Sequence, residues 1–440
     1  MLYLALDDTD SLKGMCTTFL ATEMIREFSD LDIIGYPRLV RLNPNVPWKT
    51  RGNGALCIRL GRGTGGKFKI GELAGQDVYG WRGCDGNPPP EDVLPRAITM
   101  LEKWAELDDE LTNPAVAVLE GKPPQSFYWR AVRDVVSIIE AKRAATEAGA
   151  WKAYKNGRGI VGCVASSAWR PRDRTYEILA YRQRQRWRTK RDINVRSVIA
   201  MDRKFPATFN NYDYLNGKVA IAPASPCPIL FGIRSERPDG LFGAMNAVRG
   251  EKPERWFIFE TNQGTDEHLV RPKAMPRSHT SVILKGRIGG MPMVLVGGHV
   301  IFRLDFRHGS IECAAYEPSK QFRKVARALL PGDRVLVCGS VRDKPRTLNV
   351  EKLQVLELIP AMSKQGNPRC PTCGKRMKSM GRMSGFRCVK CGEKAPLDAA
   401  EWKRVERSIE LGWYEPPVSA RRHIAKPLKR MGFESNAYPA

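Results

Sequence analysis

The chain opens on an apolar run, Leu2 to Leu6, that stops abruptly at Asp7, Asp8, Thr9, Asp10 and Ser11, as a buried strand ends in a polar loop. Past Gly14, the residues Leu20, Ala21, Met24, Ile25 and Phe28 recur at helical spacing, with Thr17 or Thr18 placed to cap the first turn. Strand, acidic loop and helix are expected in that order. Between 37 and 60, two apolar strands flank a loop with Lys49, Arg51 and two glycines, a composition that lets backbone approach phosphates closely. The Gly- and Pro-rich stretch 61–92 reads as an irregular insertion, and helical patterns return near 93–106 and 129–148.

A second alternating stretch opens with GRGIVGCVAS at 157–166 and TYEILAYR at 175–182, and ends near FIFETNQGTDEHL at 257–269. From 279 the pattern sharpens to strands at 281–288, 299–306 and 311–316, a helix at 319–330, and strands at 334–341 and 348–358. With glycines at 286, 289, 290, 297 and 298 to supply bends, this predicts a small closed barrel, best matched by an OB-fold. Such barrels commonly bind oligonucleotides; a spacer domain is the plain alternative. At 440 residues the chain exceeds one core, and an α+β multidomain protein is expected. Its units are an N-terminal α/β region (1–155), a second α+β domain (156–275), the barrel (277–360), a zinc ribbon (366–395) and a basic helical tail (396–440).

Charge adds a partner to this outline. There are 72 Lys and Arg against 47 Asp and Glu, a net charge of +25 spread along the chain, and a polyanion is its natural complement. In YRQRQRWRTKR at 181–191, Arg182, Arg184, Arg186, Arg188, Lys190 and Arg191 interleave with Trp187, which suits RNA phosphate contact with base stacking. A solvated basic edge is the alternative. No segment approaches the roughly 20 apolar residues of a membrane span, and without a basic leader a cytoplasmic location is expected.

Of 11 cysteines, seven are scattered and four form two C-x-x-C pairs, Cys370/Cys373 and Cys388/Cys391, each followed by a glycine. Four thiolates in two knuckles predict a closed, structural zinc site in a reducing compartment. Asp7, Asp8 and Asp10 would repel one another without a counter-charge, and Mg²⁺ with nucleotide phosphates would supply it; turn and capping residues of these types are the alternative. No P-loop, kinase-type Gly-rich loop, hydrolase triad or paired histidine ligand set is present, so any ATP site is of a less common kind.

Several blocks in one order resemble a known family, the archaeal isoleucine-tRNA 2-agmatinylcytidine (agmatidine) synthetases. They are DDTDS at 7–11, MCTT at 15–18, PRLVRLNPNVPWKTRGNGA at 37–55, DDELTNPA at 108–115, GRGIVGCVAS at 157–166, TFNNYD at 208–213, PCPILFGIRS at 226–235, FETNQGTDEHL at 259–269 and the four-cysteine ribbon. The resemblance spans nearly the whole chain. It implies a kinase-like catalytic region with a ferredoxin-like domain, then an OB-fold and a zinc ribbon. It further implies an ATP-dependent ligase that phosphorylates the C2 oxygen of the wobble cytidine in the CAU anticodon of isoleucine tRNA and joins agmatine there. Thr18 matches a threonine that is autophosphorylated in the family. For phosphate contacts the candidates are Lys49, Arg51, Gly157, Arg158 and Gly159; for the agmatine dication, Asp213 with Asn210 and Asn211. An adenylating RNA modifier and a non-catalytic OB-fold and zinc-ribbon nucleic-acid-binding protein are the rival readings.

Overall fold

Strand β1 (Leu2–Asp7) is apolar on both faces because both are covered. Leu2, Leu4 and Leu6 pack with Phe19, Leu20 and Met24 on one side, while Tyr3 and Ala5 pack with Cys163, Val164 and Trp169 on the other. The computed structural model describes residues 1–50, 52–381 and 384–439. In chain order β1 is followed by α1 (Thr17–Glu27), β2 (Asp32–Ile34), β3 (Arg38–Arg41), β4 (Gly54–Leu73), β5 (Gln76–Gly86), α2 (Pro90–Trp104), β6 (Ala115–Leu119), α3 (Gln125–Arg133), α4 (Ile138–Ala148), β7 (Gly149–Ala153) and α5 (Ile160–Ala168). Then come β8 (Thr175–Tyr181), α6 (Val195–Lys204), β9 (Ile229–Ser235), α7 (Leu241–Ala247) and β10 (Arg255–Thr261).

One sheet runs through this whole region in the order β7-β6-β1-β4-β3-β10-β8-β9. The join is β10, which pairs parallel with β3 and antiparallel with β8, so the two N-terminal units share a hydrogen-bonded sheet. Helices α1 and α2 cover one face of its first half and α3, α4 and α5 the other, giving a mixed α/β architecture in layers.

The stretch 61–92, expected to be irregular, is instead mostly a long antiparallel hairpin of β4 and β5. A Cβ on Gly63 would overlap the Trp81 ring opposite, so glycine here marks close approach across a strand pair rather than a loop. The helix expected over 129–148 is two helices, because Ser137 starts a new one by accepting from Glu140 N at 3.2 Å.

A closed barrel follows, from β11 (Ser281–Ile288), β12 (Val300–Phe306), β13 (Gly309–Ala315), α8 (Phe322–Ala328), β14 (Arg334–Val341) and β15 (Thr347–Glu357). Its strands pair β11-β12-β13-β15-β14 and back to β11, with β13–β15 the parallel pair. Beyond it, strands Ala361–Gly366 and Glu401–Val405 pair as a stalk for a three-stranded knuckle around the four cysteines. The knuckle buries few apolar side chains, chiefly Met377 and Phe386.

The final segment corrects the expected helical tail. Among the described residues of 396–439 there are only short strands and 3-10 turns. Pro396, Pro416, Pro417 and Pro427 each remove a backbone donor, and the segment gains its order by docking instead. Gly412–Tyr414 adds to β15 of the barrel, and Ile424 is buried in the core beneath α5. No helix among the described residues is long and apolar enough to cross a membrane.

Candidate active site

The end of β1 and the acidic loop lie where two cavities meet. The first, of about 270 Å³, is lined by Asp7, Asp8 and Asp10, by Lys49 and Arg158, and by an apolar wall that includes Val46, Trp48, Val135, Ile138 and Val161. The second, of about 320 Å³, is lined by Asp10, Thr17, Thr18, Arg41, Glu177, Arg234 and His423. Asp10, Thr17 and Gly54 line both.

Local sequence explains the arrangement. Helix α1 begins at Cys16, which makes no side-chain cap, and neither threonine caps it. The cap comes from Asp10, whose Oδ1 accepts from Thr17 N at 2.7 Å and from Thr17 Oγ1 at 2.9 Å. Thr9 donates to the same hydroxyl at 3.0 Å, and Thr112 holds the Asp10 carbonyl at 3.0 Å. Ser11 donates to Asp109, in the DDELTNPA block. Asp8 takes a left-handed φ of 55°, which turns the chain out of the strand.

Electrostatically the loop is under-compensated. Burial, with Asp8 beside it, pushes the Asp7 carboxyl well above its usual pKa. Burial raises Asp8 too, and Arg158, 3.4 Å away, offsets this only in part. A bound cation would favour the ionised form of both. The three carboxylates do not close on one point, however. Among the described residues only the four cysteines bring three or more such ligand atoms within 4.8 Å of one another. The Asp loop is therefore no all-protein cage, but Mg²⁺ commonly takes one or two carboxylates and completes its shell with water and phosphate oxygens.

Of the other candidate phosphate ligands, Lys49 lines the first cavity and points its ammonium at the Pro44 carbonyl. Arg51 lies outside the described residues. In the GRG segment only Arg158 reaches the cavity. Gly159 N bonds Asn113 O at 3.1 Å and Gly157 N bonds Tyr154 O at 2.9 Å, so these glycines serve the turn into α5 and not a ligand. Thr18 lies on the wall of the second cavity, its Oγ1 3.1 Å from Cys16 Sγ.

The agmatine candidates are placed elsewhere. Asp213 is buried, and its carboxylate accepts from Ser419 Oγ and from Asn216 Nδ2 at 3.0 Å. Asn210 Oδ1 accepts from Arg421 at 2.9 Å, and Asn211 binds Asp202 at 2.8 Å. None of the three lines either cavity, because the docked C-terminal segment uses the first two as anchors. Besides Asp10, the carboxylate that faces the second cavity is Glu177, from the TYEILAYR strand, which spacing alone did not single out.

The basic stretch divides into two classes. Arg182 is buried and paired with Glu251 at 2.7 Å, and it also donates to Thr189 O at 2.8 Å, so it organises the loop rather than facing solvent. Arg191 donates to the carbonyls of Pro223, Ser225, Cys227 and Ile229 at 2.8 to 3.0 Å. Trp187 sits edge-on against Phe19 at 4.9 Å and donates to Arg182 O, which ties the half-buried ring to the core beside it. Arg184, Arg186, Arg188 and Lys190 remain exposed and available to a polyanion.

The cysteine knuckle fits zinc. Sγ pairs lie 3.3, 3.4 and 3.8 Å apart. Four Zn–S bonds of about 2.3 Å in a tetrahedron would set S···S at about 3.8 Å. Gly374 and Gly392, at φ 68° and 79°, close each knuckle by donating back to Cys370 O and Cys388 O.

Comparisons with known proteins place the chain in a family. The TiaS TCKD domain matches residues 3–157, the TiaS FLD domain residues 157–268 and the TiaS C-terminal zinc ribbon domain residues 367–409. The chain is 40% identical to the isoleucine-tRNA 2-agmatinylcytidine synthetase TiaS of Methanocaldococcus jannaschii, with 98% of each chain covered. It is 40% identical to that of Archaeoglobus fulgidus, again with 98% of each covered. Among solved structures it matches the complex of TiaS with its isoleucine tRNA and ATP with a TM-score of 0.84 at 37% identity, covering 100% of this chain and 99% of that one. The complex of TiaS with the same tRNA, AMPCPP and agmatine matches with a TM-score of 0.82 at 34% identity and the same coverage.

Proposed function

The chain belongs to the isoleucine-tRNA 2-agmatinylcytidine synthetase family, and from that premise we propose that it divides its reaction between the two cavities that meet at Asp10. It is an ATP-dependent ligase that joins agmatine to a cytidine of isoleucine tRNA, with a structural zinc ribbon. The wobble position of the CAU anticodon is the cytidine in this reading, and a reducing cytoplasm is its setting. The layered N-terminal unit is taken as kinase-like, the second unit as ferredoxin-like, and the β11-β12-β13-β15-β14 barrel as an OB-fold.

The observation that carries the division is that Asp10 and Thr17 line both cavities. The first has the apolar wall that a base needs and, on Lys49 and Arg158, cations for phosphates. Asp7 and Asp8 would hold Mg²⁺ there, and the ion would offset charge on the triphosphate. The second cavity, with Thr18 and Glu177, takes the acceptor cytosine and the agmatine cation. The cytosine C2 carbonyl has no leaving group, and transfer of the γ-phosphoryl group to its oxygen creates one. The agmatine amine then forms a bond to C2, the C–O bond breaks with its electrons going to phosphate, and the amine proton is lost. Thr18, on the wall of the second cavity and next in sequence to the shared Thr17, is placed to accept a phosphoryl group as well.

Incubation with tRNA, Mg²⁺, agmatine and ATP labelled at either the γ or the α phosphate tests the reading. Label passing to RNA or protein from the γ position only is expected. Label on the cytidine from the α position would establish adenylation instead. No modification at all, with tRNA still bound, would leave a binding protein.

A further inference from the structure

Four side chains from four separate segments meet in a ring beside the second cavity, with Glu177, Arg234 and His423 on its wall. Glu177 stands on β8, Arg234 on β9, Gln263 follows β10, and His423 arrives from the segment beyond the zinc ribbon. Arg234 Nε donates to Glu177 Oε1 at 3.1 Å, and Gln263 Nε2 donates to Glu177 Oε2 at 2.5 Å. His423 Nδ1 lies 2.6 Å from Arg234 Nη2 and 3.1 Å from Gln263 Oε1.

A guanidinium nitrogen only donates, so Nδ1 accepts from Arg234, the ring proton belongs on Nε2, and the approach of Nδ1 to Gln263 Oε1 is a contact between two acceptors and not a hydrogen bond. His423 is exposed to the cavity, with the guanidiniums of Arg234 and Arg41 beside it. The protein packed around the imidazole, then the charges of Arg234 and Arg41, lower its pKa and favour the neutral ring. The backbone around it is fixed. Gly264 N donates to His423 O at 2.8 Å, Thr265 N donates to Ile424 O at 3.1 Å, and Lys426 N donates to Asp266 Oδ1 at 2.7 Å.

We infer that His423 is a positioning residue of the amine-substrate site: by accepting from Arg234 through Nδ1, it fixes the guanidinium that, together with Gln263, aims the Glu177 carboxylate into the cavity. The inference rests on the reading that this cavity takes agmatine. Each Glu177 oxygen already accepts one bond, so the group cannot rotate and its remaining lone pairs have set directions. Without His423, Arg234 Nη2 loses its acceptor, and the guanidinium, which now touches Glu177 through Nε alone, is free to turn a second N–H onto that carboxylate and compete with the substrate cation for it.

Steady-state kinetics of the full-length enzyme with tRNA, ATP and agmatine test this. His423→Ala is expected to raise KM for agmatine about tenfold, the loss of one hydrogen bond to a charged group, while KM for ATP and tRNA affinity hold within about twofold. His423→Asn, whose amide oxygen replaces Nδ1, is expected to restore most of the affinity. His423→Gln, whose polar atoms replace Nε2, is not. Unchanged agmatine KM in a folded His423→Ala protein overturns the inference. Should that variant fail to fold, equal agmatine KM for the Asn and Gln variants overturns it instead. Glu177→Gln separates the two levels. If it too leaves agmatine KM unchanged, the cavity assignment falls; if it raises KM where His423→Ala does not, only the role of His423 falls.

Discussion

Gly162 of α5 lies directly against the Asp7 carboxylate, so close that a Cβ at 162 would overlap it. The helix can seat the end of β1 only because this position has no side chain.

Gly162→Ala is therefore expected to push Asp7 off its place, at a cost typical of overpacking, about 1–3 kcal/mol. Agmatine incorporation should fall far more than tRNA affinity, since the barrel and zinc knuckle lie elsewhere. Activity assays beside tRNA titrations check this, and wild-type rates would mean that the placement of Asp7 does not matter.

Arg182 and Arg188 belong to the same basic run and should fail differently. Arg182→Ala strands the buried Glu251 carboxylate and should destabilise the fold by about 3–5 kcal/mol. Arg188→Ala should leave stability intact, weaken tRNA binding and reduce the salt slope by about one. Denaturation curves and binding at several salt concentrations separate the two; the reverse pattern would refute the assignment.

Glu351 of the barrel is where body, barrel and C-terminal segment meet. It faces His268 at 2.9 Å, Arg422 at 3.3 Å and Ser340 at 2.7 Å. Burial alone would raise its pKa, but Arg422 and His268 prevail and hold it well below the ordinary range. A depressed carboxyl stabilises the fold fully above its unfolded pKa of about 4.3, and loses that contribution only as pH falls toward the lower folded value. The stability gap between wild type and Glu351→Gln should thus be constant from about pH 6 to 5 and narrow only below about pH 4. Urea midpoints across that range give the answer, and a gap closing already at about pH 5 would contradict it.

Cys388→Ser should release zinc and unfold the knuckle, because so small a cluster of apolar residues cannot hold it alone. tRNA affinity is expected to drop while the N-terminal sheet keeps its melting transition. Metal analysis with calorimetry reads both, and unchanged tRNA affinity in the zinc-free protein would count against a grip by this module.

The barrel was legible in the sequence because apolar strand-like runs recur at short spacing, with glycines in several of the bends between them. The zinc site was legible because its ligands are local in sequence. The hairpin at 61–86 was not, since glycines in strands resemble loop residues until the opposing Trp81 is seen. The acidic loop could be located from spacing, but not the fact that Asp10 caps α1. Arg182 and Arg191 looked like surface cations because a charged run does not reveal which members have buried partners. The ring around Glu177 could not be read at all. Arg234 and Gln263 lie 57 and 86 residues from Glu177 along the chain, and His423 is further still and belongs to no motif.

That ring also bears on how the protein is made. Its fourth member is encoded after everything else in the pocket, so a nascent polypeptide still threading the ribosome with residue 423 unsynthesised has an unfinished wall. Fragments released early would hold the amine substrate less well, however well their first domains had folded.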